Sequence, residues 1–180
     1  GSRQVGKTTL LKTIQQKLDG KGFTTFFLTM ERIKIRNMFD DNPENIFAVI
    51  PPIGKNRVIV FIDEIQYLKN PTNFLKLLFD EYKDKLKLMA TGSSAFYIDR
   101  KFSDSLAGRK RIFHLTPFSL KEVIDYNNDE EILKYVQQGY EKQKEIPLIF
   151  YEKLLRYAEE YAVYGGYPKV VLTNDPEEKK

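Results

Sequence analysis

The chain has 180 residues, 42% of them hydrophobic, a net charge of +4 at neutral pH and no cysteine, which suits about one globular domain. Without cysteine there are no disulfide staples and no thiolate metal sites, and a reducing, cytoplasmic compartment is expected. No apolar run reaches the roughly 20 residues that cross a bilayer, and the one histidine, His114, cannot build a zinc cluster alone.

Strand-like and helix-like segments alternate, which points to an α/β fold with a largely parallel sheet. Thr8 to Leu18 reads as a helix with Leu10, Leu11, Ile14 and Leu18 on one face, and Asp19-Gly20-Lys21-Gly22 ends it. Phe23 to Met30 reads as a strand. Short helices are expected on either side of the turn signal Asp40-Asp41-Asn42-Pro43. Arg57 to Ile62 is a near-continuous β-branched run, the pattern of a strand buried on both faces. A helix over Phe74 to Tyr82, a strand over Leu86 to Thr91 and a fourth strand over Arg111 to Leu115 follow. Ser119-Leu120-Lys121-Glu122 has the spacing of a capping box. Asp129 to Ala162 reads as helical with a break at Pro147, and Gly165-Gly166-Tyr167-Pro168 as a turn.

Two segments carry chemistry. Gly1-Ser2-Arg3-Gln4-Val5-Gly6-Lys7-Thr8 fits G-x-x-x-x-G-K-[ST], the Walker A or P-loop pattern, in full. Its glycines let the backbone turn its N–H groups onto a phosphate, and the following helix aims its positive end at the anion. Lys7 is placed to reach the β- and γ-phosphates of ATP, Thr8 to offer its hydroxyl to Mg²⁺, and Thr9 to complete the cradle. Val58-Ile59-Val60-Phe61-Ile62-Asp63-Glu64 has the form of a Walker B, with Asp63 for Mg²⁺ and Glu64 to orient and deprotonate the attacking water.

Three further features are weaker. Thr91-Gly92-Ser93-Ser94 closes a strand, so Thr91 or Ser93 would sit near the γ-phosphate; an ordinary turn is the plainer alternative. Arg109 precedes the expected fourth strand, where an arginine could reach the γ-phosphate of a neighbouring subunit. The stretch Arg109-Lys110-Arg111 fits a solvated surface equally well. A nucleic-acid patch over Arg100, Lys101 and Arg109–Arg111 lacks aromatic interleaving or a recognition-helix pattern, and such a partner stays open but unsupported.

Taken in order, Gly1–Leu10, Phe61-Ile62-Asp63-Glu64-Ile65-Gln66, Thr91–Ala95, Leu106-Ala107-Gly108-Arg109 and Gly165–Pro168 resemble the archaeal and bacterial AAA-type ATPases whose ATPase domain precedes a C-terminal domain of unknown function. The resemblance implies the additional-strand sheet with order 5-1-4-3-2, Walker roles for Lys7, Thr8, Asp63 and Glu64, and a finger role for Arg109 in a homo-oligomer. It also implies that the family's first strand and C-terminal domain are missing, as in a fragment of a longer product. Residues 1–125 would then form the ATPase core, and 126–180 a helical lid or linker.

The expected function is Mg²⁺-dependent ATP binding and hydrolysis that drives an unidentified partner or downstream domain. The alternative is a switch that holds ATP or ADP with little turnover; Glu64 argues against it. An arginine-rich kinase lid is not found, nor is the Asn-Lys-x-Asp tetrapeptide of a GTPase.

Overall fold

The computed structural model describes residues 4–50, 57–92, 106–142, 147–173 and 175, with the backbone alone for 137–142. Two compact units divide the chain, Gly1–Leu115 and Thr116–Lys180.

In the first unit the described elements run α1 (Lys7–Asp19), β1 (Thr25–Thr29), α2 (Ile33–Asp41), α3 (Ile46–Val49), β2 (Val58–Asp63), α4 (Pro71–Tyr82) and β3 (Leu86–Ala90). The three strands are parallel in the order β1-β2-β3, with Thr29 opposite Asp63 and Ile62 opposite Ala90. Counted with a strand before the P-loop, this is the stretch 2-3-4 of the expected order. All six residues of β2 are buried, five of them, Val58–Ile62, as the unbroken apolar run foretells.

The alternation of side chains along β2 divides the core in two. Val58, Val60 and Ile62 join Leu28, Met30, Phe39, Ile46, Phe74 and Leu78 on the face covered by α2, α3 and α4. Ile59 and Phe61 meet Leu11 of α1 on the other. Phe39 and Phe74 stack with centroids 5.3 Å apart, tying α2 to α4. Asn70 starts α4 by accepting the N–H of Asn73 at 3.1 Å, and Pro71 occupies the first turn.

The expected fourth strand, Arg111–Leu115, is not formed; the segment is irregular. A strand exists through its ladder, and the sheet of described residues gives this segment none. Its Ile112 and Phe113 are 39% and 79% exposed, so its apolar side chains are not drawn into a core.

The second unit holds α5 (Leu120–Tyr126), α6 (Glu130–Lys142), α7 (Leu148–Tyr164) and α8 (Pro168–Leu172). The capping box forms as read: Glu122 N–H donates to Ser119 Oγ, and Ser119 N–H donates to Glu122 Oε2 at 2.7 Å. Pro147 precedes α7 directly. Ile124 and Ile132 are buried, and Asp129 accepts from Lys153 Nζ at 2.7 Å and Tyr157 Oη at 3.2 Å, joining α7 to the start of α6.

The Gly165–Pro168 turn is more than a reversal. Phe118 N–H donates to the Gly166 carbonyl at 2.7 Å, and Tyr161 Oη donates to the Phe118 carbonyl at 2.7 Å. A Cβ on Gly166 would lie 1.8 Å from the Phe118 carbonyl oxygen, so only glycine permits this approach.

Candidate active site

The site grows from the start of α1. Gly6 holds φ 87° and ψ 18°, a left-handed conformation that glycine adopts freely, and it turns the chain into the helix. Val5 anchors the turn in the core at 3% exposure, and Gln4 also has positive φ, at 63°. The N-cap residue Gly6 has no side chain to cap α1, and the N–H groups of a helix start suit an anion. Lys7 and Thr8 stand half-buried in that turn, and Thr9 is exposed beside them. Gly1, Ser2 and Arg3 lie outside the described residues.

Thr8 meets the end of β2. Its hydroxyl donates to Asp63 Oδ2 at 2.7 Å. Asp63 is buried at 5% exposure, and its other oxygen, Oδ1, accepts the hydroxyl proton of Thr91. Both carboxylate oxygens are thereby oriented by neutral hydroxyl donors from opposite sides, which makes the burial tolerable. Thr91 also accepts the N–H of Glu64 at 3.1 Å through the same hydroxyl. Ser93, Ser94, Arg100 and Lys101 lie outside the described residues.

Glu64 follows with φ 56° and ψ 47°, left-handed although it is not glycine. The bend takes its side chain out of the strand's alternation, and the Gln66 side-chain amide donates to Glu64 Oε2. Neither the left-handed backbone nor the Gln66 contact is legible in sequence, because β-branched runs ending in Asp-Glu continue in many ways.

Arg109 closes the turn Leu106–Arg109, its N–H bonded to the Leu106 carbonyl at 3.0 Å. Its guanidinium donates from Nε to Asp80 of α4 at 2.6 Å, with both side chains about one-third exposed. This hydrogen bond pulls the Asp80 carboxyl below its ordinary range and raises the Arg109 guanidinium. The two residues stand 29 apart in sequence, and nothing in the sequence marks Asp80 as the partner.

Among the described residues, no group of three His, Cys, Asp or Glu side chains gathers as a metal cage. Thr8 and Asp63 nevertheless fit Mg²⁺, which takes hard oxygen donors, keeps several waters and shares its shell with substrate phosphates. The Thr8 proton points to Asp63, so the lone pairs of Thr8 Oγ1 are left for a cation.

The chain belongs to the AAA domain family: a model described as an AAA domain matches residues 1–124. It is therefore a nucleotide-binding domain of the ATPase type. Relatives include an uncharacterized protein of Methanocaldococcus jannaschii, 27% identical over 180 residues, which are all of this chain and 37% of that protein. An uncharacterized protein of Haemophilus influenzae is 23% identical over 180 residues, matching 98% of this chain and 40% of its own length. The chain thus spans about two-fifths of the curated relatives it matches. No helix among the described residues is long and apolar enough to cross a membrane.

Proposed function

We propose that the chain binds Mg·ATP at the mouth of α1 and hydrolyses it. The observation that carries this reading is the 2.7 Å hydrogen bond from Thr8 to Asp63, which joins the P-loop helix to the end of β2 beside Glu64. In this reading Gly1–Gly6 wrap the phosphates with backbone N–H groups. Lys7 reaches the β- and γ-phosphates, and the α1 dipole adds positive potential there. Thr8 and Asp63 would hold Mg²⁺, which would supply positive charge to the triphosphate. Glu64 orients a water in line with the γ-phosphorus and takes its proton as the P–O bond to ADP breaks. Arg109 would leave Asp80 to reach the γ-phosphate of a neighbouring subunit. Turnover would drive a partner or a downstream domain of the whole protein.

Glu64→Gln tests the chemistry, since it keeps shape and removes the base. It should cut turnover at least about a hundredfold while ATP affinity stays within about threefold of the parent. Hydrolysis at the parent rate would remove Glu64 from the mechanism.

A second reading, a nucleotide-gated switch with little turnover, is favoured by one observation. Gln66 already occupies an oxygen of the Glu64 carboxylate, and a base held in its own loop acts slowly. Gln66→Ala would then raise turnover at least about threefold; a fall would show that the amide helps to aim Glu64.

A further inference from the structure

Thr91 makes four hydrogen bonds to the end of β2 and the turn that follows it. The β2–β3 ladder ends with Ile62 opposite Ala90, yet Thr91 continues the connection. Its N–H donates to the Ile62 carbonyl at 2.9 Å, and its own carbonyl accepts the N–H of Ile65 at 2.9 Å. Its hydroxyl then donates to Asp63 Oδ1 and accepts the Glu64 N–H at 3.1 Å.

The hydroxyl's proton count decides what Thr91 can do. A threonine hydroxyl has one proton and two lone pairs. Phosphate oxygens of ATP at neutral pH are acceptors. With its one proton on Asp63, Thr91 has none to give a γ-phosphate unless it releases the carboxylate. If the hydroxyl oxygen itself moved onto phosphate, it would also leave the N–H of Glu64, whose left-handed φ of 56° needs surrounding contacts to persist.

We propose that Thr91 is a positioning residue and not a phosphate contact: its hydroxyl fixes the rotation of the Asp63 carboxylate and pins the left-handed Glu64, so that metal ligand and base are held in one arrangement before nucleotide arrives. The proposal rests on the roles given above to Asp63 and Glu64. It assigns to Thr91 the preorganisation on which a positioned base depends.

Thr91→Val keeps the shape and removes the hydroxyl. In the full-length protein it should lower kcat at least about tenfold, with ATP affinity by calorimetry within about threefold of the parent. Thr91→Ser restores a hydroxyl at the same place and should recover most of the lost rate. The unmutated protein offers a measurement that needs no variant. The Glu64 amide should be protected from hydrogen exchange without ligand, and should stay so when saturated with the magnesium complex of a non-hydrolysable ATP analogue. Deprotection of that amide on adding the analogue would mean that Thr91 leaves Glu64 for phosphate, and the proposal would fall. An unchanged kcat in Thr91→Val would overturn it equally. The exchange result does not depend on turnover, so it tests the bond between Thr91 and Glu64 even if Glu64→Gln shows that Glu64 is not the base.

Discussion

Thr8 and Asp63 are 55 residues apart in sequence and 2.7 Å apart in space. The bond runs between the first turn of a helix and the last residue of a buried strand, two elements that meet through Leu11 against Ile59 and Phe61. Packing on one face of the sheet thus sets the distance between two proposed metal ligands. Their alignment depends on the core as much as on their own identities.

Thr8→Val should accordingly spare the fold and remove a metal ligand. The rate at saturating ATP should fall at least about tenfold, and the Mg²⁺ concentration for half-maximal activity should rise. Magnesium titrations of parent and variant check this. Identical curves would remove Thr8 from the metal site.

Arg109 is held by Asp80 within its own chain, so a role across an interface requires that bond to open. Arg109→Ala should keep ATP affinity and lose hydrolysis. Mixed with Lys7→Ala, which should bind ATP at least about tenfold more weakly, or about 1.4 kcal/mol, it should regain activity, because each subunit lends what the other lacks. Co-assembly without regained activity would leave Arg109 as the surface partner of Asp80.

Gly166→Ala should destabilise the helical unit. The added methyl meets the Phe118 carbonyl oxygen at 1.8 Å, and relief requires the Phe118–Gly166 hydrogen bond to lengthen or break. Overpacking of this kind costs about 1–3 kcal/mol. Exchange of the α7 and α8 amides in the full-length protein should quicken accordingly; unchanged exchange would mean that the loop relaxes freely.

The capping box predicts an acid-sensitive helix start. The Ser119 N–H and hydroxyl, both donating to Glu122, lower its carboxyl below the ordinary value of 4.5. A depressed carboxyl stabilises the fold above its unfolded pKa, and that contribution fades as pH drops through the folded one. Fraying of α5 should therefore begin below about pH 4.5. Ser119→Ala removes the cap at a cost of about 0.5–2 kcal/mol and should flatten the pH response. Amide exchange along α5 between pH 3 and pH 6 measures both.

What could be read in advance follows from how local each cause is. The β-branched run of β2, the Ser119–Glu122 spacing and Pro147 specify their structures through neighbours in sequence. The G-x-x-x-x-G-K-[ST] pattern is legible because its residue types stand at fixed offsets, those that the proposed phosphate cradle needs. The Arg111–Leu115 segment looked like a strand by composition, but pairing belongs to two strands and cannot be read from one. The Asp80–Arg109 bond and the four bonds from Thr91 to the end of β2 and the turn after it join residues more than 25 apart. The fold alone makes them neighbours.

The left-handed backbone at Glu64 carries an evolutionary consequence. A residue other than glycine or asparagine in this conformation costs about 1–2 kcal/mol, so thermal robustness alone would replace Glu64 by Gly or Asn. A laboratory selection for heat resistance, run without demanding turnover, should therefore enrich substitutions at position 64 early. The same population grown under a requirement for ATP hydrolysis should keep the glutamate and find its stability elsewhere. The divergence of the two lineages at this codon would measure how much stability the protein gives up to keep the proposed base.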